Sequence, residues 1–188
     1  MYSRAAMTDT MTLIRPSLDW LPAYEAALAQ GWSPDTTRDV SGEQLEKLRR
    51  DPERFLHDLF NSPTIRLADG RDVPRLPAHD FWISDGEFCG RISFRFQPGT
   101  EELPPNALGH IGYAIVPWKC RRGYATQALR QILPVARSEG FSRVQISCDA
   151  ENEPSQKVIL ANGGVLMKTI VHSDKPGGAK FVYWVPTS

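Results

Sequence analysis

Ile111-Gly112-Tyr113-Ala114-Ile115-Val116-Pro117 leads without a break into Trp118-Lys119-Cys120-Arg121-Arg122-Gly123-Tyr124-Ala125-Thr126. The first half alternates and closes on a proline, which predicts a strand over Gly109 to Val116. The second half is a basic turn with one glycine. Beyond it Ala125, Ala128, Leu129, Ile132, Leu133 and Ala136 recur at helical spacing, which predicts a helix from Tyr124 to about Glu139, stopped by Gly140. Where a helix begins, backbone amides point outward unpaired and the helix dipole adds partial positive charge. Such a place binds phosphate readily. Gly123 lets the backbone approach an anion closely, Ala125 is too small to block it, and Arg121 and Arg122 add charge. Taken alone, the stretch is equally a plain strand, turn and helix with a solvated arginine pair. No GxxxxGK[ST] and no GxGxxG occurs, which removes the P-loop and dinucleotide readings.

Working outward, Asp85-Gly86 between Phe81-Trp82-Ile83 and Cys89 to Phe96 signals a tight hairpin. Thr12 to Arg15 reads as a short first strand and Leu18 to Gln30 as a helix. Ser41 reads as the N-cap of a polar helix through Arg50, and Asp51-Pro52 as the start of another through Phe60. Asn61 to His79 reads as turns with one short strand, and Gln97 to Ala107 as a loop. Pro134 is expected to kink its helix by removing a backbone donor. Val144 to Cys148 is the next strand, Glu153 to Ala161 a short helix stopped by Gly163-Gly164, and Val165 to Val171 and Lys180 to Val185 two closing strands. That order indicates an α/β fold with a mixed sheet.

Composition bounds the function. A chain of 188 residues, 41% hydrophobic and 23% charged, suits one soluble domain. Zero net charge gives no global argument for nucleic acid or for an anionic membrane. Cys89, Cys120 and Cys148 are isolated and odd in number, which points to a reducing cytoplasm. His57, His79, His110 and His172 are scattered, so no metal site is expected. No run approaches the roughly 20 apolar residues of a membrane span. Residues 1–10 read as a disordered lead, with Met7 or Met11 as alternative starts, and residues 11–188 as a single domain.

Arg121-Arg122-Gly123-Tyr124-Ala125-Thr126, opening a helix after a strand that ends in Val116-Pro117, resembles the acetyl-coenzyme A motif of GNAT-family N-acetyltransferases, R/Q-x-x-G-x-G/A. Asn152-x-x-Ser155 is similar to that family's second element. Phe81 to Leu166 resembles one bacterial branch, sharing Phe81-Trp82, Gly90-Arg91-Ile92-Ser93, Gly109-His110-Ile111-Gly112-Tyr113 and Ala161-Asn162-Gly163-Gly164, with Val73-Pro74-Arg75-Leu76-Pro77 as a weaker echo. The resemblance implies a single, mostly antiparallel sheet flanked by helices, whose central strands splay. It implies acetyl-CoA in the gap as cosubstrate, without a metal. The pantetheine would pair with backbone at Ile115 and Val116, the pyrophosphate would lie on Arg121, Arg122, Gly123, Tyr124, Ala125 and Thr126, and Asn152 and Ser155 would touch the coenzyme. Two small residues, Gly112 and Ala114, sit on one face of the central strand and leave room for a close approach, or for a packed helix.

Two positions depart from the family pattern. Cys120 stands where arginine or glutamine is usual, and Ile159 where many members carry a tyrosine that protonates the thiolate. His110 takes the place of a glutamate general base, and an imidazole suits that task. A hydrogen-bonded structural histidine is the alternative, and ordered water can also take the proton. Ser155 is a candidate proton donor; Asn152 and Ser155 are equally helix-capping types. Tyr124 and Tyr183 are further donors or core aromatics. An acyl-cysteine at Cys120 or Cys148 is not expected, since the family transfers directly in a ternary complex. Glu101-Glu102 would attract a cationic amine or stand as a solvated loop.

The resulting expectation is an N-acetyltransferase acting on a small-molecule or peptide amine, with no nucleic-acid or membrane partner; a homodimer is compatible with it. A catalytically weak acyl-CoA-binding sensor module is the alternative. Acceptor choice would reside in residues 31–80 and 97–107, where no motif guides the reading.

Overall fold

The computed structural model describes residues 11–67, 69–105, 107–171 and 178–188; the lead at residues 1–10 and His172 lie outside them. The elements run β1 (Thr12–Ile14), a 3-10 turn (Leu18–Trp20), α1 (Leu21–Ala29), α2 (Ser41–Arg50), α3 (Pro52–Asn61), β2 (Thr64–Arg66), β3 (Asp72–Pro74), β4 (Ala78–Ser84) and β5 (Phe88–Arg95). They continue with β6 (Ile111–Ile115), a second 3-10 turn (Pro117–Lys119), α4 (Tyr124–Ser138), β7 (Arg143–Asp149), α5 (Glu153–Leu160), β8 (Val165–Val171) and β9 (Ala179–Pro186).

Where one continuous sheet is expected, the hydrogen bonds define two larger ones, ordered β1-β4-β5-β6 and β7-β9-β8, with antiparallel pairing throughout. The edges β6 and β7 come together at one end and form no ladder, so the expected splay is deep enough to divide the sheet. The segment expected to hold one strand instead folds as the small hairpin β2-β3, Ile65 opposite Val73. Period-2 alternation is too short there to show twice.

Helix α4 joins the two halves by touching β5, β6 and β7. Its stripe Ala128, Leu129, Ile132, Leu133 and Ala136 is buried among Ile92, Phe94, Val144, Ile146 and Val185. The helix continues through Pro134 on its exposed side, where the missing amide faces water. On the other face of the first sheet α1, α2 and α3 close an aromatic core, with Tyr24 stacked on Trp82 at 4.8 Å and edge-on to Trp32 and Phe88. Val40, not Ser41, is the N-cap of α2; Ser41 instead bonds the Asp39 carboxylate through its amide and hydroxyl. Asp51 caps α3 through the Arg54 amide.

Gly90 lies where β5 meets β6, at φ +144, and a methyl group there would overlap the Ala114 carbonyl oxygen and approach Ile115 Cα to 2.9 Å. Only glycine permits that contact. Gly90→Ala is expected to cost about 2–6 kcal/mol, the sum of backbone strain and overpacking, read as a drop in the denaturant midpoint; a midpoint equal to wild type would refute the steric reading.

Candidate active site

His110 stands where the two sheets part. Its amide donates to the Gln145 carbonyl at 2.7 Å, its carbonyl accepts from the Arg95 amide at 2.8 Å, and its ring Nδ1 accepts from the Gln145 amide at 2.8 Å. The side chain therefore takes the place of a backbone acceptor at the last rung before β6 and β7 diverge. Just before it the Ser147 hydroxyl donates to the Leu108 carbonyl. His110 is 0% exposed, with Phe141 at 5.2 Å and Phe94 and Trp184 around it. With Nδ1 accepting, the neutral ring carries its proton on Nε2, which is buried and has no partner among the described residues. Burial, then the Arg95 charge, lowers its pKa to about 4. The general-base expectation meets an imidazole that an amine cannot reach and that is already engaged.

Past this point, hydrogen bonding along an antiparallel strand alternates between its edges. The His110 carbonyl and the Val116 amide are spent on β5, the first on the Arg95 amide at 2.8 Å and the second on the Cys89 carbonyl at 3.0 Å. Ile111, Tyr113 and Ile115 therefore turn theirs toward the gap. The Val116 carbonyl accepts from the Lys119 amide at 3.0 Å, so the expected coenzyme contact at Val116 is corrected: both of its backbone groups are used internally.

The gap ends at the turn before α4. Arg121 adopts φ 61 and Gly123 φ 78, two left-handed residues flanking Arg122. Alternation of this kind makes a concave nest of amides. Gly123 is the N-cap without a side-chain cap, and the first helical bond runs from Gln127 to Gly123, leaving the amides of Ala125 and Thr126 no acceptor inside the helix. Arg121, Arg122 and Gly123 are exposed. Tyr124 is 3% exposed, and its hydroxyl donates to Asp85 Oδ2 at 2.6 Å, so its ring belongs to the scaffold.

Lys119 holds this turn in place. Its Nζ donates to Asp85 Oδ2 at 2.8 Å and Oδ1 at 3.1 Å, and pairs with Glu87 at 2.7 Å. The side chains of Lys119 and Asp85 are 8% and 4% exposed. Burial alone would raise the Asp85 carboxyl, but the bonds from Lys119 and Tyr124 outweigh it and hold it well below the usual range. Burial alone would likewise lower Lys119, and its bonds to Asp85 and Glu87 instead raise it. Sequence reading missed both residues: Asp85 passes as the first residue of a hairpin turn and Lys119 as one more base.

Across the gap, Asn152 caps α5 by accepting from the Ser155 amide at 3.1 Å. Ser155 Oγ lies 2.7 Å from the Tyr113 hydroxyl, tying α5 to β6. Burial raises Tyr113 to about 12, against the Ser155 bond that lowers it. Ile159, at the usual tyrosine position, is 0% exposed and fills the core. Tyr183 is likewise in the core; Cys148 is buried, and burial followed by the Asp149 charge raises its thiol. Cys120 is exposed. Glu101 accepts from the Ser142 amide at 2.6 Å and its hydroxyl at 2.7 Å, so it anchors the start of β7 rather than standing free for an amine. Among the described residues no group of three or more His, Cys, Asp or Glu side chains is gathered for a metal, and no helix is long and apolar enough to cross a membrane.

The acetyltransferase (GNAT) domain family matches residues 25–165. Among solved structures, RimL, the ribosomal L7/L12 alpha-N-protein acetyltransferase in complex with coenzyme A, is 17% identical over 94% of each chain, with a TM-score of 0.66. The microcin C7 self-immunity acetyltransferase MccE, in complex with acetyl-CoA and AMP, is 16% identical over 95% of this chain and 93% of its own, at 0.62. An acetyltransferase from Salmonella typhimurium that modifies the N-terminal serine of L7/L12 is 16% identical over 94% and 95%, at 0.63. At 16–17% identity, these structural likenesses show the fold alone. No curated protein sequence matches. The chain belongs to the GNAT acetyltransferase family and is an acyltransferase.

Breaking a buried ion pair from one side costs about 3–5 kcal/mol, and Asp85→Asn should lose roughly that. The depressed Asp85 adds stability above its unfolded value of about 3.9 and loses it as pH falls. The raised Lys119 adds stability below about 10.4 and loses it as pH rises. The stability gap between wild type and variant, from urea unfolding, should be flat from about pH 5 to 9 and narrow on either side. A gap that grows toward acid would contradict the pairing.

Proposed function

We propose that this acyltransferase moves an acetyl group from acetyl-coenzyme A to a primary amine by direct attack in a ternary complex. One observation carries the reading: a divided sheet whose gap is lined by the outward backbone edge of β6 and ends at a nest of amides beside two exposed arginines. The pantetheine would follow that edge, pairing with backbone at Tyr113 and Ile115. The pyrophosphate would lie on the amides of Gly123, Ala125 and Thr126, with Tyr124 contributing through its backbone and Arg121 and Arg122 supplying charge. RimL and MccE, with coenzyme A and acetyl-CoA, support this cosubstrate. Residues 11–188 would form one acetyltransferase domain, which the match over residues 25–165 supports.

In the reaction the amine lone pair attacks the thioester carbonyl, the C–S bond breaks, and the amine proton leaves through water. Holding amine and thioester in attack geometry supplies much of the rate, and backbone donors stabilise the oxyanion. We assign no side-chain base; His110 is structural in this reading. Ser155, at the start of α5 and backed by the Tyr113 hydroxyl, would pass a proton to the departing thiolate while taking back from water the one the amine released, so that no alkoxide is left. Asn152 would position Ser155 and the start of α5. A binding-only sensor module is the second reading, motivated by Ile159 filling the core where a tyrosine donor is usual.

An amine panel assayed for free thiol from acetyl-coenzyme A separates the two. Gly123→Asp should abolish turnover and coenzyme binding, because a carboxylate would face the pyrophosphate. Ser155→Ala should lower kcat by about 100-fold while the KM for acetyl-coenzyme A stays within about threefold. Full activity in Gly123→Asp would move the phosphate site, and an unchanged kcat in Ser155→Ala would end its role as donor. Coenzyme binding with no thiol release from any amine would favour the sensor.

A further inference from the structure

The face of the first sheet that carries α1 to α3 is covered over only part of its area. At one end Trp82, Ala114 and Val116 lie beneath aromatic side chains. At the other, the register aligns Asp80, Ser93 and Gly112 in one row and Ala78 with Arg95 in the next. This second area is polar and open: Asp80, Ser93 and Arg95 are half-buried, Gly112 is exposed, and a methyl group on Gly112 would meet nothing within 4 Å. Gly112 sits two residues past His110, where the sheet divides, so the open floor adjoins the mouth of the gap.

Charge on that floor is one-sided. Asp80 is already bridged by two arginines, Oδ2 to Arg75 at 3.0 Å and Oδ1 to Arg91 at 3.0 Å, with side-chain exposures of 15%, 21% and 30%. Arg91 also donates to the Pro34 carbonyl at 3.2 Å. Arg95 has less. Its Nε donates to the Gly109 carbonyl at 2.8 Å, and no carboxylate of the described residues lies within 4 Å of its guanidinium. Burial, then the neighbouring Arg91 charge, lowers its pKa, against a smaller pull from Asp35. The Arg95 terminal nitrogens are not among the buried atoms left without a partner, so water reaches them, and an anion can take the place of that water. Asp80 also walls a cavity of about 280 Å³ between Phe60, Pro63, Leu76 and Pro77, which gives room for the rest of a bound molecule.

We propose that the acceptor amine also carries a carboxylate, which docks on Arg95 with Arg91 beside it while the amine reaches past Gly112 into the gap. A guanidinium fork matches a carboxylate in two parallel bonds, which fixes orientation as well as position. The same charge repels polyamines and other polycationic acceptors. The proposal rests on the acetyl-transfer reading above and names the substrate class for it.

The test uses acceptor pairs that differ by one carboxylate: alanine against alaninamide for a free amino acid, and alanyl-aspartate amide against alanyl-asparagine amide for a peptide, with spermidine as the polycation. Thiol release should favour one acid-bearing member by roughly 10- to 100-fold in kcat/KM, the worth of a charged hydrogen bond, and which pair responds identifies the source. Arg95→Leu should bring that ratio near one, and Arg95→Lys should restore part of it. Equal or better turnover of the amides, or spermidine as the preferred substrate, would overturn the assignment. Calorimetry on coenzyme A-bound protein with N-acetyl-alanyl-aspartate amide and its asparagine counterpart reads the site without turnover: tighter binding of the acid supports it, equal binding refutes it. Acid-selective binding with no thiol release from any amine would leave this site standing and remove the transfer reading instead.

Discussion

The Lys119 ammonium and the Asp85 carboxylate, 2.8 Å apart and almost sealed from water, tie the turn that opens α4 to the hairpin joining β4 and β5. Removing two charges from water is expensive, and the cost is recovered only where every remaining hydrogen-bonding site is met. Here it is met: Asp85 also accepts from Tyr124 at 2.6 Å and Lys119 also reaches Glu87. The consequence is mechanical. Arg121 holds a left-handed conformation that a non-glycine residue adopts only when its surroundings impose it, and its chain is anchored two residues earlier, at Lys119. An anion site made of backbone amides works only if those amides are held before the anion arrives, since ordering them on binding would consume the affinity.

A second constraint follows from the first. Helix α4, fixed at its start, is the element that packs on both sheets and so keeps them together while β6 and β7 part. An open strand edge in a protein interior is a row of unsatisfied donors and acceptors. The fold limits that exposure by closing the gap at His110, where an imidazole nitrogen takes an amide that no carbonyl can reach, and by bridging the far side with the Tyr113–Ser155 bond. What stays open between these two pins is a slot, not a loose edge.

The parts of this arrangement legible in the sequence are the local ones. The stripe of α4, the alternation of β6, the Asp85-Gly86 turn and the Asn152 cap each declare themselves within a few residues, because helix periodicity, strand alternation and capping are short-range physics. The division of the sheet was expected only as a splay, because the point where β6 and β7 part is set by a contact between groups 35 positions apart, the His110 ring and the Gln145 backbone. His110 illustrates the limit: its residue type suits proton transfer, and nothing near it in sequence reveals that Phe94, Phe141 and Trp184 enclose it. Lys119 and Asp85 were unreadable for the same reason. Each is ordinary alone, and their meaning is the contact.

Net charge is the most misleading of the global quantities. The chain sums to zero, yet much of that balance is made by pairs on the outer faces of α2 and α3, Glu43 with Lys47, Glu46 with Arg50 and Asp58 with Arg54. Those side chains are screened by solvent and contribute little at a distance. The arginines that matter lie apart from them: Arg121 and Arg122, exposed at the turn, and Arg91 and Arg95, half-buried on the sheet floor, where a charge acts more strongly than in bulk water. Neutral composition therefore coexists with two arginine pairs, one exposed at the turn beyond β6 and one on the sheet floor along its length.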